Sequence, residues 1–360
     1  MKKISSKFSL NASLLLVLMG NNLFIGESKY EATNVEDVKA KLKKYGVCYV
    51  PNVLTEEECV QMISGTWDFV EHLTQKDSAP VKRHKPDSWI NLATLCPLAD
   101  MLYHYWNAGH AQHLWDIRQN EKILKIFSLF WDCTPEDLLV SFDGFAFLPP
   151  PEVTDVGFAQ ANAKQYHLDQ SLTRPYFDGI QSFVTAYDIN ENDATLSFYE
   201  SSHLLIPEFI ENFGIRTEGD WVRFNPTEET FFASRCKEVQ IKCPAGSLVI
   251  WDSRTVHTPM KPMRNREISN TRCISYLSYS KKDRITEEKL LQKIEAFENM
   301  CTSNHYAHNP GYFDEVPPNH GAVENYVTQI EFPTLTPIGY SLVGYNEEEI
   351  EKFMEENKDD

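Results

Sequence analysis

The 360-residue sequence predicts an α+β fold, with helices flanking a β-rich core of barrel or double-sheet jelly-roll type over about residues 138–282. Three observations predict it. Before about residue 131, and again after residue 286, apolar residues recur at three- and four-residue intervals, the period of helices with one buried face. Between those flanks the period shortens, and brief apolar runs alternate with turn residues as in many short strands. Neither an internal repeat nor a low-complexity linker divides the chain, so residues 31–360 are expected to form one domain behind an extension of residues 1–30.

The elements follow in order. Met1-Lys2-Lys3 to Lys7, followed by the apolar stretch Leu10 to Phe24, has the basic and apolar parts of a secretory signal. The run is interrupted by Asn11 and Asn21-Asn22, and no Ala-x-Ala site follows. A loosely packed extension is therefore expected, with a cleaved signal over residues 1–28 as the alternative. Residues 35–75 read as helical at both ends, the second helix opening on Thr55-Glu56-Glu57-Glu58, an acidic first turn under a threonine cap. Gly46 to Pro51 between them reads as a short buried strand. Leu98 to Tyr105 and Glu121 to Phe130 carry helical apolar spacing. Strands are expected at Leu138 to Phe147, Gln165 to Asp169, Ile180 to Ile189, Thr195 to Tyr199, Glu238 to Cys243, Leu248 to His257 and Arg272 to Tyr279. Helix returns at Thr286 to Asn299, and Glu347 to Asp360 reads as an acidic amphipathic stretch with a solvated face.

Composition narrows the function. Hydrophobic residues make up 42% and charged residues 24%, the balance of an ordinary soluble globular protein. A formal net charge of -18 disfavours nucleic acid as a partner, because sequence-independent affinity for phosphates comes from excess Lys and Arg. No stretch approaches the roughly 20 apolar residues that span a bilayer. The 8 cysteines show no CxxC pair and no short-domain framework, so they are expected to be reduced thiols in a cytoplasmic protein.

The chemistry is concentrated in three residues. His167 and Asp169 stand two apart in Gln165-Tyr166-His167-Leu168-Asp169, and on a strand such residues point to the same side. His257 ends Ser247-Leu248-Val249-Ile250-Trp251-Asp252-Ser253-Arg254-Thr255-Val256-His257, a facing strand that can supply a third ligand. Two imidazoles and one carboxylate with positions left open suit a non-heme Fe(II) oxygenase.

The ordered set His167-Leu168-Asp169, then Asn190 to Leu196 leading to Ser201-Ser202-His203, then Gly246 to His257, then Arg272, resembles the phytanoyl-CoA dioxygenase family over roughly residues 40–282. The resemblance implies a double-stranded β-helix and a dioxygenase dependent on Fe(II), 2-oxoglutarate and O2. Such an enzyme hydroxylates a small organic substrate with release of succinate and CO2. It also implies His167, Asp169 and His257 as metal ligands and Arg272 as the residue holding the distal carboxylate of 2-oxoglutarate. Two positions depart from the family pattern: Ser201-Ser202-His203 replaces Gly-Ser-His, and Asp193-Ala194 replaces Asn-Gly. Neither touches a ligand.

Arginine suits that carboxylate because its planar fork binds bidentately and keeps its charge in a buried pocket. Alternation places Arg272, Ile274 and Tyr276 on one face, and Arg264 and Arg266 in the preceding loop are rivals for the role. Gln181 is a candidate to hydrogen-bond the co-substrate, with a core amide as the alternative. By alternation Trp251, Ser253 and Thr255 face the cavity, and Arg254 turns away to pair with Asp252 or with a neighbouring strand, an order that a β-bulge would reverse. His104, His110 and His113 are expected to pack or lie at the surface. His203 is expected to fix a turn, and Cys301, His305 and His308 lack a fourth ligand for structural zinc. Two other functions compete. A metal hydrolase shares the triad but leaves Arg272 unexplained, and a non-catalytic binding module leaves the intact triad unexplained. The prime substrate is not legible from these residues.

Overall fold

Thirteen strands and their flanking helices make up the computed structural model, which describes residues 29–160, 164–215, 219–318 and 327–356. The expected signal or extension lies, up to residue 28, outside the described residues. In chain order the strands are β1 (Val47–Val50), β2 (Leu102–Tyr103), β3 (Leu138–Val140), β4 (Phe145–Leu148), β5 (His167–Leu168), β6 (Ile180–Thr185) and β7 (Thr195–Tyr199). They continue with β8 (Val222–Arg223), β9 (Glu238–Gln240), β10 (Leu248–Asp252), β11 (His257–Met260), β12 (Arg272–Leu277) and β13 (Tyr279–Lys281).

Six strands form one sheet in the order β1-β10-β6-β12-β4-β2, five form a second in the order β8-β5-β11-β7-β9, and β13 pairs with β3. All these strand pairings are antiparallel. Side-chain alternation sorts each strand between two layers. Val249 and Trp251 of β10, Phe183 of β6 and Ile274 of β12 meet Leu196 and Phe198 of β7 in one buried cluster, so that cluster lies between the two sheets. Leu248, Ile250, Val184, Cys273 and Leu277 turn the other way. They pack against the helices Val35–Tyr45, Glu56–Leu73, Gln112–Arg118 and Glu121–Trp131. The outer face of the five-stranded sheet, with Leu168 and Val222, is covered by Phe209, Phe231 and Phe232 from the helices Ile206–Phe213 and Pro226–Ala233. Each such large side chain contributes about 1.5 to 3 kcal/mol by leaving water.

Local signals set several boundaries. Thr55 caps Glu56–Leu73 in a reciprocal capping box with Glu58, as the sequence indicates. Gly46 ends Val35–Tyr45 in the left-handed region (φ 82°), its N–H bonding Leu42 O at 2.9 Å. Gly144 permits a close approach of two strands: a Cβ there would stand 1.9 Å from the Tyr103 carbonyl oxygen.

Several expectations are corrected. The runs Leu138 to Phe147 and Arg272 to Tyr279 are each divided between two sheets, as β3 and β4 and as β12 and β13. Leu98 to Tyr105 is not helical: Ala99 and Asp100 take positive φ, Leu98 and Leu102 bridge each other, and β2 joins the sheet edge beside β4. Pairing with β4 overrides an apolar spacing that fits a helix equally well. The run Leu248 to His257 is two strands, because a turn after Asp252 carries the chain from the six-stranded sheet into the five-stranded one. Strand β8 was not expected; its two residues have no pattern of their own and are held by β5. The tail helix Glu347–Glu356 has a solvated acidic face, yet Phe353 docks its other side on Tyr340 (5.1 Å between rings) and Tyr345 (5.0 Å).

His110 and His113 are core residues. Burial, reinforced by the nearby Arg118 charge, pushes both imidazoles down to about 3. They stay neutral in the native protein while an unfolded chain protonates them below its ordinary value near 6.5. Stability present above that value is therefore lost as pH falls from about 6.5 towards 3, by roughly 2 kcal/mol per histidine at pH 5. Urea midpoints at pH 7 and pH 5 should differ accordingly, and His113→Phe should flatten the slope. An unchanged slope in that variant would remove His113 from the acid response.

Candidate metal centre

Strands β5 and β11 are adjacent in the five-stranded sheet, and their antiparallel register sets His257 opposite His167. Each imidazole donates its Nδ1–H to the carbonyl two residues earlier, His167 to Gln165 and His257 to Thr255, both at 2.9 Å. Those bonds select one tautomer and turn each Nε2 lone pair inward. The Nε2 atoms lie 3.5 Å and 3.2 Å from the two carboxylate oxygens of Asp169. One ligand atom from each residue falls within 4.8 Å of the others, and no other such group of three occurs among the described residues.

Burial would raise the Asp169 carboxyl, but His167 and His257 beside it outweigh burial and hold it well below the usual carboxylate range. Burial pushes the His167 imidazole down to about 4, with Asp169 opposing. Two imidazole nitrogens and one carboxylate oxygen converge here, and this donor set fits a divalent first-row metal.

The three side chains open into a cleft of about 1610 Å³. Arg272 and Gln181 line it with Trp251, Phe183 and Tyr276. Arg272, Ile274 and Tyr276 do share one face of β12, and the Arg272 guanidinium lies over the Phe183 ring at 5.7 Å. Its Nε and Nη1 are buried without a hydrogen-bond partner among the described residues, as is Nε2 of Gln181. The rival arginines are committed elsewhere: Arg264 to Asp155 at 2.7 Å, and Arg266 to Glu152 at 2.6 Å and Asp193 at 3.0 Å. Arg254 chelates Asp252 at 2.7 Å. Ser253 and Thr255 do not line the cleft, because alternation ends where the chain turns between sheets; Thr255 instead bonds Gly46 O at 3.0 Å.

Other residues enter the site unannounced. His305 and Tyr306 both bond the Asp169 backbone carbonyl, at 3.0 Å and 2.9 Å. His308 faces Asp178 at 3.9 Å, so Cys301, His305 and His308 do not converge as a metal group. His104 lines the cleft, 3.1 Å from Asp143 and stacked on Phe313 at 4.6 Å, whereas His203 bonds Lys43 O, in the last turn of the helix Val35–Tyr45, at 3.1 Å. The spacing of Cys301, His305 and His308 was visible in the sequence, but nothing local indicates what their side chains meet.

No protein-family profile matches the chain. A curated protein of Aspergillus versicolor, Ava biosynthesis cluster protein O, is 24% identical over 215 residues, which span 57% of this chain and 66% of that protein. Among solved structures, GIG2 (GlcNAc Inducible Gene 2, DUF1479) of Candida albicans shares the fold with a TM-score of 0.51 and 12% identity, over 92% of this chain and 89% of that one. A Salmonella typhimurium LT2 protein provisionally described as an oxidoreductase shares it with a TM-score of 0.52 and 12% identity, over 85% of this chain and 82% of that one. A fainter likeness is to the epimerase SnoN, solved with Fe3+, alpha ketoglutarate and nogalamycin RO. Its TM-score is 0.40 at 12% identity, covering 69% of this chain and 83% of that one.

A buried guanidinium with unused donors destabilises the protein that carries it. Arg272→Met, which keeps the stem and removes the charge, should therefore stabilise the ligand-free chain by about 1 kcal/mol. Thermal unfolding checks this; a lower melting temperature in the methionine variant would show that Arg272 is already satisfied by the protein.

Proposed function

We propose that this chain is a 2-oxoglutarate-dependent dioxygenase of the phytanoyl-CoA dioxygenase type that hydroxylates a small organic substrate on a double-stranded β-helix core. One observation carries the reading: the His167–Asp169–His257 cluster and the Arg272 guanidinium, whose Nε and Nη1 lack a partner among the described residues, line the same cleft. A metal hydrolase would use the cluster and leave Arg272 without a task.

When bound, Fe(II) would supply O2 activation coupled to the oxidation of 2-oxoglutarate to succinate and CO2. The chain's own part is binding and exclusion. His167 and His257 would offer Nε2, held in the right tautomer by Gln165 and Thr255, and Asp169 its carboxylate. Three protein ligands leave positions open for co-substrate and O2. Arg272 would grip the distal carboxylate of 2-oxoglutarate through its fork, and Gln181 would donate its amide to the same molecule. Trp251 and Phe183 line the cleft and would help keep water from the reacting centre.

The lining also bears on the substrate. Lys164 and Lys261 line the cleft but are paired with Glu238 and Asp100, so Arg272 is the unpaired Lys or Arg among the described lining residues. Once Arg272 is engaged, the cleft favours an uncharged molecule over a phosphate-bearing coenzyme A ester. We place the activity on one domain of residues 31–360 in the cytoplasm, without a nucleic-acid partner. Among the described residues no helix is long and apolar enough to cross a membrane.

Asp169→Ala should abolish succinate formation, since it removes the anionic ligand; full turnover with normal iron content would sink the metal assignment. Arg272→Gln should instead raise the KM for 2-oxoglutarate and leave iron content near that of the native chain. Loss of a buried charge-assisted pair costs about 2 to 5 kcal/mol, or roughly 30- to several-thousand-fold in affinity. Succinate production against 2-oxoglutarate concentration, beside metal analysis of the same sample, separates the two roles.

A further inference from the structure

The three metal-facing side chains are not held alike. His167 lies in β5, whose backbone is paired on both sides, with His257 of β11 and Arg223 of β8. His257 is likewise flanked, by His167 and by Phe198 of β7. Asp169 lies just beyond the end of β5, where no ladder fixes its backbone. Its carbonyl oxygen accepts two hydrogen bonds from a single remote segment, from Nε2–H of His305 at 3.0 Å and from the Tyr306 hydroxyl at 2.9 Å. A carbonyl oxygen has two lone pairs, and these two donors use both.

The donors are themselves fixed. Tyr306 is buried, its ring 4.3 Å from that of His305, with the Arg174 guanidinium 5.5 Å over its face. Arg174 is held by Asp220 and by Asp178 at 2.8 Å, and Asp178 by Arg284 at 2.6 Å. The segment is closed by Asn304 N–H on Gly311 O at 2.8 Å and anchored by Ser303 N–H on Phe142 O at 2.9 Å. The loop after Asp169 and the segment around His305 therefore interlock at the one ligand that the sheet leaves loose. Ordinary loop packing would place these donors on any carbonyl of the loop, whereas both converge on that of Asp169.

We propose that His305 and Tyr306 are positioning residues for the Asp169 carboxylate, and that metal binding and docking of the segment around residues 302–309 stabilise each other. The proposal rests on the metal-centre reading. Fixing the plane of the peptide after Asp169 limits where its carboxylate can point, and outer partners of this kind tune affinity for a metal. Linkage makes the effect mutual: whatever docking adds to metal affinity, the metal returns to docking by the same factor.

The probe is Co(II) added to the metal-free full chain, read by visible absorption and by amide hydrogen exchange. Tyr306→Phe keeps the ring and removes one donor; it should weaken Co(II) binding by about tenfold and change the absorption envelope. His305→Ala should do the same, and His305→Gln, which restores an N–H, should recover part of the loss. In the native chain Co(II) should slow exchange over residues 302–309. Native affinity and spectrum in folded Tyr306→Phe and His305→Ala overturn the proposal, and so does exchange in the native chain that is indifferent to saturating Co(II). If the native chain binds Co(II) and these outcomes appear, only the positioning role falls. If the native chain does not bind Co(II), the metal-centre reading falls with it.

Discussion

The pairing of two short strands, β5 with β11, is the constraint on which the rest of the site depends. Strand β5 has only two residues, and its register with β11 sets His167 directly across from His257. Because side chains alternate with period two, a slip of one residue would turn one imidazole to the opposite face and dissolve the cluster. So short a strand cannot hold its own register. It is held by pairing on both edges and by Leu168, which turns away from the cleft into the aromatic layer of Phe209, Phe231 and Phe232. The two faces of one dipeptide thus join the core to the chemistry.

The six-stranded sheet contributes the opposite wall by the same alternation. Odd and even residues of β6, β10 and β12 divide between the helical layer and the space between the sheets, and towards one end that space opens into the cleft. There apolar packing gives way to Gln181 and Arg272, whose Nε2 and whose Nε and Nη1 respectively are buried without partners among the described residues. Buried donors are normally satisfied, and leaving them unmade costs free energy. The apolar layers on either side supply that stability and keep the polar groups from collapsing on each other.

The C-terminal part of the chain is more than a cover. The helix Glu287–Glu298 packs through Phe297 into the large helical core, and the segment that follows returns across the molecule to Asp169. Residues separated by 136 and 137 positions in the chain thereby meet at one carbonyl group. The lining of the cleft is built from both sheets together with Asn304, His305 and Phe313 of this segment.

Much of this was legible in the sequence, and for a common reason. The helices Glu56–Leu73 and Glu287–Glu298, the capped start at Thr55 and the strands near 180, 195, 248 and 272 rest on local periodicity, the candidates His167, Asp169 and His257 on motif spacing, and the candidate Arg272 on a family resemblance. Both are properties of neighbouring residues. What escaped depends on partners distant in the chain. Residues 98–105 have helical spacing but form a turn and an edge strand because β4 offers pairing. The run to His257 reads as one strand and is two, because the chain changes sheets after Asp252. Arg264 and Arg266 could be set aside only after Asp155, Glu152 and Asp193 were seen beside them. The clamp of His305 and Tyr306 on Asp169 has no local signature at all. The sequence by itself determined which groups were available for chemistry and which faces had to be buried. Tertiary structure alone decided which groups meet, because hydrogen bonds and ion pairs act over a few ångströms between residues that may be a hundred or more positions apart.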